Sequence, residues 1–160
     1  MKRLKELMNH IFIDGLTGMA QGLFATLIVG TIIQQIGSLI GGNIGDMIFL
    51  LGKVAAALTG AGIGVGVAYR FKGSPLVVVS AAISGMIGAF ASKLLAGTVL
   101  VEGAVVLAGP GEPLGAFLAA YAGIEVGRLV SGKTKVDIFV TPIVTIGAGS
   151  VVGLILGPPI

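Results

Sequence analysis

The chain has no cysteine, no tryptophan and a single histidine, and only 11% of its 160 residues are charged. Without cysteine it can hold no disulfide, thiolate metal site or thiol nucleophile. One imidazole, His10, cannot make a histidine-cluster metal centre, so no metal, no cofactor and no catalytic group is expected. Soluble domains carry roughly 25% charged residues, and the charges here are too scarce to cover a water-facing surface. The formal net charge is +3, but the ten Lys and Arg stand in twos and threes between apolar runs, with few aromatics. The basic stripe of a nucleic-acid binder is missing, and no nucleic-acid partner is expected.

What is present is apolar and small. Hydrophobic residues make up 55% of the chain, there are 28 glycines, and the mean hydropathy is +1.07. A glycine weakens a water-exposed helix by about 1 kcal/mol relative to alanine. In a bilayer, small residues instead let helix backbones approach closely. Membrane lipid is therefore the expected surrounding, and the fold class an all-α, polytopic helical membrane protein with about five transmembrane helices.

Residues 1–14, MKRLKELMNHIFID, form a charged leader with Leu4, Leu7, Met8 and Ile11 at helical spacing, suited to a cytoplasmic interface. The uncharged run after it is too long for a signal-peptide core. About 20 apolar residues cross the hydrocarbon core, which sets spans at about 16–36, 47–68, 75–96, 113–130 and 138–158 of one membrane domain, 15–160. A glycine-rich turn, residues 37–46, is expected between the first two. Residues 97–111 are apolar but short and hold Glu102, which fits a loop or a re-entrant segment. With the N-terminus inside, Lys2, Arg3, Lys5, Arg70, Lys72, Arg128, Lys133 and Lys135 all fall on the cytoplasmic side, as the positive-inside rule asks. Lys53 and Lys93 lie within spans, where long stems snorkel or pair with Asp46 or Glu102.

The stretch Gly127 to Thr134 matches the phosphate-loop pattern GxxxxGK[ST]. That chemistry needs a strand before the loop. Here a membrane helix precedes it, so it is read as a basic turn. The series Gly60, Gly62, Gly64, Gly66 and the GxxxG pairs Gly18/Gly22, Gly37/Gly41, Gly60/Gly64, Gly123/Gly127 and Gly149/Gly153 are read as close helix packing. In the fourth span Gly115, Ala119, Gly123 and Gly127 line one face and Tyr121, Glu125 and Arg128 the other. Glu125 either pairs with Arg128 or faces a solute or proton path. Glu112, framed by Gly111 and Pro113 at a helix start, either binds a polyhydroxyl ligand or serves as a loop carboxylate stabilised by the helix dipole.

GLTGMAQGLFATLIVGTIIQQIG near the start and GPGEPLGAFLAAYAGIEVGRLVSGKTKVDI later resemble the EIIC membrane component of the sugar phosphotransferase system, in its PfoR-type toxin-regulator branch. The resemblance implies a multi-pass permease of the bacterial cell (inner) membrane that binds a sugar-like solute. It would work with cytoplasmic phosphotransfer components, carrying no phospho-accepting domain of its own. It also implies that Glu112, with Gly111 and Pro113, belongs to the solute site; Glu125 is the further candidate. Family members are longer, so an amino-terminal fragment is the expectation, acting as a homo-oligomer or with a missing carboxy-terminal half. The alternative is a membrane scaffold or regulator working through helix contacts without transport.

Overall fold

A computed structural model describes residues 2–107, 109–133 and 135–156. Nothing in the leader breaks a helix, and the first helix runs without interruption over Lys2–Ile40. It comprises α1 (Lys2–Asn9), α2 (Leu16–Leu23) and α3 (Val29–Ile40), joined by wider π-helical stretches at His10–Gly15 and Phe24–Ile28. Its 39 residues make a rod about 58 Å long. The chain then reverses at Gly41 and Gly42, with φ of +71° and +68°. These backbone angles are open to glycine, so two residues do what the sequence assigned to a ten-residue turn.

α4 (Gly42–Ala57) returns along α3. A Cβ on Gly30 would sit 2.8 Å from the Gly52 carbonyl oxygen, and one on Gly37 2.6 Å from that of Gly45. The glycines are what allow this contact. The expected second span is not one straight helix, because a 51° bend separates α4 from α5 (Thr59–Arg70). At the bend the buried Thr59 hydroxyl donates to the Ala56 carbonyl at 2.6 Å, and such local bonding competes with a regular helix.

α5 explains the alternating glycines. Residues two apart lie about 200° apart around a helix, so Gly62 and Gly66 face α2 while Gly60 and Gly64 face α6 (Pro75–Ala89). A helix bare on both sides fits between two neighbours. α6 opens on Pro75 and stops at Phe90, where φ is −110° and ψ 20°. The expected third span is thus broken into α6 and the short α7 (Ala91–Ala96).

Residues 97–111, ambiguous in sequence, contain a small antiparallel hairpin, β1 (Leu100–Val101) and β2 (Ala104–Val105), pairing Leu100 with Val105. Its turn places Glu102 and Gly103 at positive φ, the primed geometry that suits strand twist. α8 (Pro113–Val130) and α9 (Asp137–Leu156) complete the bundle. α8 is central: Gly115 meets Gly88 of α6, while Gly123 and Gly127 meet Thr145 of α9. Ile63, Val67, Phe71, Val77, Phe90, Ala116, Phe117 and Ile124 form the core.

Among the described residues three helices are long and apolar enough to cross a membrane, and a fourth span counts if α4 and α5 are taken as one; α6, with 15 residues, is shorter. The outside is greasy. Leu39, Ile44, Ile143 and Val79 are 85%, 72%, 68% and 64% exposed, a surface suited to lipid and unsuited to water. The protein is an all-helical membrane protein.

Candidate functional site

α6 ends at Ala89, which leaves carbonyl groups without an intrahelical partner. The Glu112 N–H supplies one, donating to the Ala89 carbonyl at 2.8 Å. Gly111 makes this approach feasible. Its φ is +75°, and a Cβ there would lie 2.8 Å from the same oxygen. The Glu112 side chain turns back on its own helix and accepts from the Leu114 N–H at 3.1 Å, capping α8, with Pro113 at the first helical position. The broken end of α6, the Gly111 turn and the start of α8 therefore form one joint. Its carboxylate is exposed.

Beside the joint, a cleft of about 330 Å³ opens between α5, α6, α7 and the hairpin. Ile83, Met86, Leu94, Val105 and Leu107 are among its walls, and all of its lining residues are apolar. It offers no group for a hydroxylated ligand. Lys93 lies over the Phe90 ring at 5.5 Å, and Lys53 over Phe49 at 5.8 Å. Each ammonium thus rests on an aromatic face of its own segment.

Glu125 is elsewhere. Thirteen residues along α8 separate it from Glu112, about 20 Å, so the two carboxylates do not share a site. The Glu125–Arg128 pair exists but is long, 3.8 Å. The closer partner is His10, whose Nε2 lies 2.8 Å from Glu125 Oε1. The His10 ring stacks on Phe71 at 3.8 Å between centroids. Phe71 meets Tyr121 edge-on at 5.8 Å, and Tyr121 lies over Phe117 at 6.1 Å.

One turn along the first helix, Asp14 accepts from Arg70 Nη2 at 3.1 Å. The Ser74 and Ser131 hydroxyls, 2.7 Å apart, tie the α5–α6 turn to the α8–α9 turn. This end of the bundle, which carries Arg70, Lys72, Arg128, Lys133 and Lys135, is held by polar contacts between segments remote in sequence. A cleft of about 680 Å³ opens here beside Asp14, Tyr69, Arg70 and Lys72.

Sequence reasoning set His10 aside as a lone histidine and missed its role. The signal was there: His10, Asp14, Gly18 and Gly22 recur every fourth residue, so the packing face marked by the two glycines continues back into the leader. A spacing of four drifts around an α-helix of 3.6 residues per turn, and the wider π-helical turn at His10–Gly15 offsets that drift.

Among its described residues, 127–133, the phosphate-loop lookalike has no phosphate-binding shape. Gly127 is packed on Thr145 inside the bundle. The Gly132 N–H donates to Asp137 at 2.8 Å, and the Ser131 N–H to the Gly127 carbonyl at 2.9 Å. Thr134, the last residue of the pattern, lies outside the described residues. Among the described residues no three His, Asp or Glu side chains stand together as a metal site would require.

No curated protein matches the chain, and no solved structure does. Residues 13–160 match the family described as phosphotransferase system, EIIC. The match covers both the Glu112 joint and the long apolar helices, and the chain therefore belongs to the EIIC family of membrane components of the phosphotransferase system.

Proposed function

We propose that this chain is the solute-translocating part of a sugar permease in the bacterial cell membrane, with its N-terminus in the cytoplasm, and that Glu112 binds the sugar. The supporting observation is the bond from the Glu112 N–H to the Ala89 carbonyl. From the basic turn at Arg70–Ser74, α6 rises 15 residues to Ala89, about 22 Å. The hydrocarbon core is about 30 Å thick. On this reading Glu112, whose backbone is bonded to Ala89, would stand at membrane depth on irregular backbone. Ionisable groups at such depth mark solute pathways, and broken helices with free termini are where transporter sites form.

Glu112 would accept hydrogen bonds from sugar hydroxyls after giving up its cap on Leu114. Gly111 would keep the backbone close, and Pro113 would fix the helix start. The His10–Glu125 and Asp14–Arg70 contacts would hold the cytoplasmic end shut in this state. Phosphorylation would fall to cytoplasmic phosphotransfer proteins, since the chain has no cysteine and engages its one histidine with Glu125.

The test is binding of radiolabelled glucose, N-acetylglucosamine, mannose and galactose to the protein in proteoliposomes. At least one should bind, and Glu112→Gln should weaken it 10- to 100-fold, the loss of a charge-assisted hydrogen bond of about 1.5–3 kcal/mol. Binding of none of them, or unchanged affinity in the variant, would remove Glu112 from the site. In that case the scaffold reading stands, supported by the α3–α4 hairpin, whose apolar outer surface touches little of the bundle.

A further inference from the structure

Two hollows share a wall at the basic end of the bundle. The first is the cleft of about 680 Å³ beside Asp14, Tyr69, Arg70 and Lys72. The second, of about 490 Å³, is a groove between α2 and α5 floored by Gly22, Gly62 and Gly66. From Tyr69 to Ala61 it follows α5 for about 12 Å, and Leu58 closes its far end. The exposed Tyr69 lines both hollows. A cationic mouth therefore opens into an apolar channel.

The cations at the mouth are not used up by the fold. Asp14 accepts from Arg70 Nη2 at 3.1 Å, while Arg70 Nε is buried without a partner among the described residues. Lys72 is exposed and makes no ion pair among the described residues. One carboxylate thus stands against two cations. Lys72 also holds a φ of +57°, a geometry that costs an L residue energy and glycine almost none. Strain retained at a charged side chain points to a use for that side chain. Deeper on the groove wall stands Gln21, about 10 Å along the first helix from Asp14. Hydrocarbon cannot satisfy its amide.

We infer that the mouth and the groove together hold one anionic phospholipid. Its phosphate lies between Arg70 and Lys72, and one acyl chain lies on the glycine floor. Basic recesses between membrane helices take such headgroups, and a guanidinium matches phosphate oxygens with paired N–H donors. The Gln21 amide can donate to an ester carbonyl at the level where headgroup gives way to chain. A free phosphate would use the mouth and leave the groove empty; a lipid uses both. The inference rests on the membrane fold and not on Glu112 or any sugar.

The test counts lipids retained by the 160-residue chain in detergent, by native mass spectrometry, after mixing with equal amounts of phosphatidylglycerol and phosphatidylcholine. Phosphatidylglycerol should be retained roughly tenfold better. Each basic group near a headgroup is worth roughly fivefold, so Lys72→Gly should cut the preference by about that factor while melting no lower than the parent. Ala25→Trp places bulk from an exposed position into the groove and leaves the mouth intact; it too should lower retention. Equal retention of the two lipids, or full retention in either variant, would overturn the inference even if the other variant failed to fold. Displacement of the lipid by excess inorganic phosphate would overturn it in favour of a free-anion site. Loss of the lipid whenever the chain self-associates would overturn it in favour of a second copy seated in the groove.

Discussion

Gly123→Ala and Gly147→Ala should shift stability in opposite directions, although both glycines are helical and sit in neighbouring helices. A Cβ on Gly123 would lie 2.6 Å from the Thr145 carbonyl oxygen and 3.0 Å from Ser84 Oγ, at the meeting of α6, α8 and α9. Ordinary contact begins near 3.4 Å. α8 and α9 would have to part by about 0.8 Å, and a gap of that size forfeits a quarter to a half of the dispersion energy along the seam. Overpacking of this kind costs about 1–3 kcal/mol. A Cβ on Gly147 meets nothing within 4 Å and its φ is ordinary, so alanine there should add up to about 1 kcal/mol by propensity alone. Reversible unfolding in mixed micelles, followed by helicity, measures both. If the two variants shift the midpoint the same way, or if Gly123→Ala is neutral, the close packing of α8 on α9 is not what the glycines are for.

His10→Ala should leave the bundle folded but loosen the leader, with faster amide exchange over residues 2–15. Its cost should stay below about 1 kcal/mol, since the His10 and Glu125 side chains are 28% and 39% exposed. Lys72 sits at φ +57° and is exposed, so Lys72→Gly should raise stability by about 1 kcal/mol in a thermal melt. At the hairpin, Glu102→Asn should strengthen the turn by a few tenths of a kcal/mol, because asparagine tolerates the φ of +51° found there. Loss of exchange protection around residues 100–105 in that variant would contradict the turn geometry.

Much of this architecture was legible because it depends on composition. Scarce charge and abundant glycine speak for lipid regardless of tertiary detail, and the ladder Gly115, Ala119, Gly123, Gly127 marks the α8 seam by simple periodicity. Where helices break was less legible. The bend at Leu58 depends on a buried threonine hydroxyl, and the end of α6 is tied to an N–H that arrives 23 residues later, from Glu112. Local patterns carry no trace of a partner so far along the chain.

The hairpin escaped notice because Glu-Gly is not among the strong turn pairs. Of the two candidate carboxylates, Glu112 was placed correctly as a helix-start residue by its Gly and Pro neighbours. Glu125 was assigned to the right helix face, but its closest partner sits 115 residues away in the leader.

The unbroken first helix has a mechanical consequence. Its two ends lie about 58 Å apart with no loop between them. A rotation at His10 is thus passed along the helix towards the Gly41 corner at its other end, with no loop in between. The π-helical stretches at His10–Gly15 and Phe24–Ile28 are the places on this shaft where twist can be taken up.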